Sequence, residues 1–180
     1  TDWSTNHQLR KRCLEQLHDA ITSEQEDLRE ELIREVGAPR AVTHGPHLDA
    51  PLEDGLLYPA RLIETYPWET DLGDTVVSVT GVNTTRRVWR EPVGVVGAIT
   101  PWNFPFEVTI NKLAQALATG NTVVLKPAPD TPCNATRLGR LIAEKTDIPA
   151  GVVNVVPASD HFVGEELTLS PKVDMISFTG

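Results

Sequence analysis

Sulfur is scarce in this chain: 180 residues contain two cysteines, Cys13 and Cys133, and one methionine. Nothing in the placement of the two thiols demands a disulfide, and free thiols, buried or half-buried in a cytosolic protein, are the expected state. No stretch approaches the ~18 uninterrupted apolar residues of a membrane span. The chain opens without an initiator Met and without a charged-then-apolar leader. Positive charge is outnumbered, with 16 Lys+Arg against 25 Asp+Glu and a net charge of −9. That balance excludes a general nucleic-acid binder, which needs a basic face for phosphates. Internal repeats, low-complexity tracts and metal-ligand motifs are missing. So is the Gly-x-Gly-x-x-Gly dinucleotide fingerprint: Gly94 and Gly97 lie inside a strand-like run, and no such motif follows.

What is present is a core-forming composition. Hydrophobic residues make up 40% of the chain, enough for one domain with appendages and too much for disorder. Charge is uneven: residues 1–91 carry 10 basic and 17 acidic groups, residues 92–180 carry 6 and 8. The first half therefore reads as a solvated, charge-rich layer and the second as a packed one.

Thr5 and Gln8 form a capping-box pair ahead of an apolar stripe through Leu9, Cys13, Leu14, Leu17 and Ile21. Ser23 and Glu26 repeat the signature before Leu28, Leu32, Ile33 and Val36, and Gly37 with Pro39 ends that helix. Asp49 to Tyr66 reads as a weaker helix. Asp74 to Thr80 and Thr84 to Arg90, around Gly81-Val82-Asn83, read as a half-exposed β-hairpin that would seek a partner sheet. From Val93 the texture changes. Short apolar runs at Val93–Ile99, Thr122–Leu125, Val152–Val156 and Met175–Phe178 alternate with helical segments at Val108–Ala118, Pro132–Lys145 (with Thr131 as cap) and Asp160–Leu169. A β-α-β-α-β-α-β order predicts an α/β fold with parallel strands and right-handed crossovers, part of a Rossmann-like doubly wound sheet. Ligands of such sheets bind beyond the carboxyl ends of the strands. Those ends are Thr100-Pro101-Trp102-Asn103-Phe104-Pro105, Lys126-Pro127-Ala128-Pro129 and Phe178-Thr179-Gly180.

Four stretches, in this order and spacing, resemble the aldehyde dehydrogenase superfamily. They are Glu91-Pro92-Val93-Gly94-Val95-Val96-Gly97 leading to Pro101-Trp102-Asn103-Phe104-Pro105; Leu117-Ala118-Thr119-Gly120-Asn121 through Lys126-Pro127; Pro149-Ala150-Gly151-Val152-Val153-Asn154-Val155-Val156; and Phe178-Thr179-Gly180. The resemblance divides the chain into 1–73, a helical segment of the cofactor-binding domain, 74–91, a hairpin for oligomerisation, and 92–180, a partial dinucleotide-binding domain. It implies an enzyme that oxidises an aldehyde to a carboxylic acid with NAD or NADP through a cysteine thiohemiacetal and thioester. Asn103 is then the catalytic oxyanion-hole side chain; on the residues alone, a loop Asn equally makes Asx turns or helix caps. Lys126 is implied to bond ribose hydroxyls, with Ile99, Thr100, Pro101, Trp102, Phe178, Thr179 and Gly180 completing the cofactor site. Lys112 either assists proton movement or is a helix-surface lysine.

The chain departs from the family pattern in three places. Pro129 stands where a ribose-contacting residue is usual, which leaves NAD against NADP open. Ala158 replaces a glycine near the adenine slot. Neither Cys13 nor Cys133 matches the catalytic cysteine's setting, and the water-activating glutamate is missing as well, so the chain reads as an N-terminal portion, inactive alone. The alternative is a non-catalytic dinucleotide-binding or oligomerisation module. A small aldehyde substrate, a homo-oligomer (dimer or tetramer) and a cytoplasmic location complete the expectation, with no nucleic acid, membrane or metal partner.

Overall fold

A computed structural model describes residues 2–77 and 79–180. Helix α1 (His7–Ser23) begins where the Asn6 side chain accepts the Leu9 N–H at 2.9 Å. The cap is therefore Asn6 and not Thr5, whose hydroxyl instead donates to the Asp2 carbonyl. Helix α2 (Gln25–Val36) has no side-chain cap, because Ser23 turns its hydroxyl back to the Ala20 carbonyl, and it ends at Gly37. A short α3 (Arg40–Thr43) follows. The continuous helix expected from Asp49 is instead a π-helical turn, Pro51–Leu57, running into α4 (Tyr58–Leu62). Pro51 and Pro59 supply no N–H to an α-helical ladder, and the backbone widens there.

Strands β1 (Glu69–Val77) and β2 (Val82–Trp89) form the antiparallel ribbon, irregular between Asp71 and Asp74. The first strand starts five residues before the Asp74 expected, and Val82 and Asn83 belong to β2, not to the turn. Ser78, within the expected first strand, lies outside the described residues.

The four remaining strands are β3 (Val95–Ile99), β4 (Thr122–Lys126), β5 (Val153–Val155) and β6 (Met175–Phe178). They make one parallel sheet in the order β5-β4-β3-β6. This is the order of a dinucleotide-binding half, and β3 is where the winding reverses. Helices α5 (Pro105–Ala118) and α6 (Cys133–Lys145) are the crossovers beside β3 and β4, and α7 (Phe162–Leu169) connects β5 to β6. Phe106, Ile110, Leu113 and Leu117 of α5 are buried against Val96, Ala98, Val123 and Leu125 of the sheet. Each fully buried side chain of this size contributes roughly 1.5–3 kcal/mol.

The first half is not merely a solvated layer. Helices α1 and α2 pack on α5 and α6, and two arginines are fully buried. Arg10 donates to the carbonyls of Ala118, Trp3 and Ser4, clamping the start of the chain to the end of α5. Gly120 completes that joint: its φ is +86°, and a Cβ there would lie 2.9 Å from the Ser4 carbonyl oxygen. Helix α6 starts one residue later than expected, at Cys133, and the Glu35 carboxylate rather than Thr131 receives its first N–H groups. By contrast α7 has no buried residue, and its Phe162 and Leu169 are each 72% exposed.

Candidate active site

The last residues of three adjacent strands stand at one level. Ile99 of β3 pairs with Lys126 of β4 on one side and with Phe178 of β6 on the other. Side chains at one level of a parallel sheet share a face, so all three point to the α7 side. With His161, Gly164, Glu165 and Thr168 they line a cleft of about 350 Å³. Lys126 is only 4% exposed, and its ammonium has one protein partner, the Pro127 carbonyl at 3.2 Å. Lysine has three donors, so two remain for a ligand. Gly164 keeps the floor open: a Cβ there would come within 3.7 Å of the Lys126 stem and 3.9 Å of Ile99.

Beyond β3 the chain turns sharply. Thr100 is buried; its N–H donates to the Lys126 carbonyl and its hydroxyl faces that of Thr109 on α5. Pro101 is also buried, while Trp102 is 59% exposed. Asn103 is exposed, and its Oδ1 accepts the Phe104 N–H at 3.0 Å. That bond fixes which end of the carboxamide is engaged. Among the described residues Nδ2 donates to nothing, so two N–H groups are presented outward at the start of α5. Pro105, at the first position of α5, has no N–H to cap and a φ already helical.

The opposite face of β3 and β6, against α5, forms a second hollow of about 600 Å³. Lys112 of α5 lies there and donates to the Ser177 hydroxyl at 2.9 Å. Burial holds its ammonium below the usual lysine range. Thr179 lines this hollow, and its N–H closes on the Ile99 carbonyl at 3.1 Å.

Of the expected cofactor residues, Ile99, Lys126 and Phe178 therefore meet in one cleft. Thr100 and Pro101 are packed inside, Thr179 opens on the other face, Trp102 stands at the loop surface and Gly180 follows Thr179. His161, at the head of α7, and the α7 residues Gly164, Glu165 and Thr168 escaped sequence reasoning. The available signal was positional: a helix leaving a parallel strand turns its first residues to the ligand crevice. Both thiols are free. Cys13 is buried in α1, where desolvation pushes its thiol up to about 11. Cys133 is exposed, where a buried or half-buried thiol was expected, because it opens α6 on the outside of the layer; its thiol is raised by desolvation and by Glu35.

No helix among the described residues is long and apolar enough to cross a membrane. The family model "Aldehyde dehydrogenase family" matches residues 2–180. An NADP/NAD-dependent aldehyde dehydrogenase of Escherichia coli is 37% identical over 180 residues, covering 99% of this chain and 34% of the relative. A 3-succinoylsemialdehyde-pyridine dehydrogenase of a Pseudomonas species is 39% identical over 99% of this chain and 35% of its own length. The crystal structure of a Mycobacterium tuberculosis aldehyde dehydrogenase complexed with NAD+ superposes with a TM-score of 0.88 at 32% identity, across 99% of this chain and 35% of that one. The chain thus spans about a third of the length of the relatives it matches. On its whole-length family match and its parallel sheet alike, the chain belongs to the aldehyde dehydrogenase family.

Proposed function

We propose that the encoded protein oxidises an aldehyde to a carboxylic acid with NAD+ or NADP+, and that these 180 residues supply the oxyanion donor and one wall of the cofactor site. The observation that carries this reading is the Asn103 carboxamide, tied by its oxygen and free at its nitrogen, beyond the carboxyl end of β3. A donor fixed in this way suits an oxygen that gains negative charge as a nucleophile adds to its carbonyl. Because it is already oriented, no reorganisation is needed when the charge appears.

The strand-end cleft fits a dinucleotide ribose. It offers an apolar floor from Ile99, a cation with free donors at Lys126, and at Gly164 a space that a side chain would fill. A dinucleotide held there would supply the acceptor for hydride from the aldehyde carbon. Lys126 would hold ribose hydroxyls and Ile99 and Phe178 would cover the apolar face, while Pro129, with no side-chain hydrogen bond to give, selects neither NAD+ nor NADP+. Lys112, with its proton affinity lowered by burial and Ser177 beside it, provides a route for a proton on the opposite face. The attacking thiol and the water-activating carboxylate belong to residues other than these, since neither cysteine stands at the strand ends. The β1–β2 ribbon, with Val76, Val82 and Trp89 exposed, pairs with a second copy in a homo-oligomer. Two free thiols suit a cytoplasmic location.

The test is NAD(P)H formation by the whole encoded protein with a panel of aldehydes. Asn103→Ala is expected to lower kcat by about 10²–10³. Cofactor binding without turnover would favour the non-catalytic module, and an unchanged kcat in Asn103→Ala would remove the oxyanion assignment.

A further inference from the structure

His47 lies in the loop between α3 and the π-helical turn and is 7% exposed. Its imidazole stacks face to face on Phe104, with ring centroids 4.3 Å apart and planes 10° from parallel. Phe104 follows Asn103 directly, and its N–H is the group that the Asn103 Oδ1 accepts. The buried Nδ1 of His47 has no hydrogen-bond partner, a cost that a simple space-filling residue would not carry. What this ring does make is a specific aromatic contact. Burial holds the imidazole below its usual range, although the Glu107 carboxylate pulls the other way, and so favours the neutral ring in the stack. Its backbone is anchored as well: the His47 N–H donates to the Val42 carbonyl, and the adjoining Leu48 is fully buried.

We propose that His47 is a positioning residue for the Asn103 carboxamide. The imidazole fixes the plane of Phe104, the Phe104 N–H fixes Oδ1, and Nδ2 is thereby left facing the substrate oxygen. A reversed amide would present an acceptor to a developing anion, so orientation matters as much as presence. This inference rests on the reading of Asn103 as the oxyanion donor.

The test is steady-state kinetics of the whole encoded protein as wild type, His47→Leu, His47→Gln, His47→Phe, Asn103→Ala and the His47→Leu/Asn103→Ala double variant. Leu and Gln fill the site without a ring, and Phe keeps the stack. The unstacked variants should lose about ten- to a hundredfold in kcat, with the KM for the dinucleotide nearly unchanged. His47→Phe should keep most of the activity. In the Asn103→Ala background, His47→Leu should cost nothing more, because its effect passes through the amide. An equal loss in both backgrounds would reveal a purely structural role and overturn the proposal. So would a folded His47→Leu or His47→Gln with wild-type kcat, or a His47→Phe as impaired as the unstacked variants. If Asn103→Ala itself leaves kcat intact, the oxyanion reading fails, and this inference falls with it.

Discussion

Replacing Lys126 by Met separates the charge at the strand end from the packing around it. The stem lies against Gly164, and Met has nearly the same length and volume, so the cleft floor is preserved. The ammonium loses one protein hydrogen bond, to the Pro127 carbonyl at 3.2 Å. Losing that bond is offset by no longer burying a charge in a residue 4% exposed. Stability should therefore change little, with a melting temperature within about 2–4 °C of wild type. Cofactor binding should change much more. Hydrogen bonds from a charged donor are worth about 1.5–3 kcal/mol, and 1.4 kcal/mol is tenfold in affinity. The dissociation constant for NAD(P)H should rise about ten- to a hundredfold on that scale. Fluorescence titration of the whole encoded protein with the reduced dinucleotide reads this directly. A folded Lys126→Met variant with wild-type affinity would refute the argument that the buried ammonium holds the ribose.

Two further predictions concern groups away from the cleft. Thiol labelling of the whole encoded protein, mapped by mass spectrometry, should modify Cys133 in the native state and Cys13 only after denaturation, since one is exposed and the other buried with its thiol raised to about 11. Native-state labelling of Cys13 as fast as that of Cys133 would show that α1 does not stay packed. Asp49 contributes an acid-side dependence: burial pushes its carboxyl up, but hydrogen bonds from Arg29 and Gln25 outweigh that and hold it below the usual range. Its folded value is depressed, so its contribution is complete above about pH 3.9, the unperturbed aspartate value, and is lost as pH falls through the folded value. Urea midpoints measured down the acid range should fall less steeply in Asp49→Asn than in wild type, from a lower start near neutrality; identical slopes would contradict the pairing.

The sheet could be read because strands buried on two faces leave continuous apolar runs, as Val93 to Ile99 does, and because Gly120 and Lys126 punctuate them. Asn103 and Lys126 stood out only through the motifs around them, since on position alone a loop Asn makes Asx turns or caps and a strand-end Lys reaches solvent. Local choices between equivalent chemistries were not legible. Asn6 displaced Thr5 as a cap because either side chain suffices and the tertiary entry angle decides. The widened turn at Pro51–Leu57 keeps apolar spacing close enough to helical that its register escapes a periodicity argument. His47 carries no local signal at all, for it sits in a loop and acquires meaning only when folding brings it to Phe104. Helix α7 read as weak for a physical reason, since none of its residues is buried.

The register of β6 against β3 decides what both sides of the site contain. Alternate residues of a strand face opposite ways. Phe178 therefore lies with Ile99 and Lys126 in the strand-end cleft, while Ser177 and Thr179 face Lys112. A slip of one residue would exchange these sets. The aromatic ring would then face the Lys112 ammonium, and a hydroxyl would replace the apolar cover of the cleft. Among the described residues β6 has four residues and pairs with β3, so few ladder bonds of its own oppose such a slip. The register is pinned instead at both ends. The Asp174 carboxylate accepts the Val95 N–H at 2.7 Å while the Asp174 N–H donates to the Val95 carbonyl at 2.9 Å. At the far end the Thr179 N–H bonds the Ile99 carbonyl. Gly94 makes the first pin possible, because any side chain there would collide with the Asp174 carboxylate. The glycine preceding β3 thus acts on the strand's other end, through the one alignment that keeps the apolar cleft and the lysine–serine pair on separate faces.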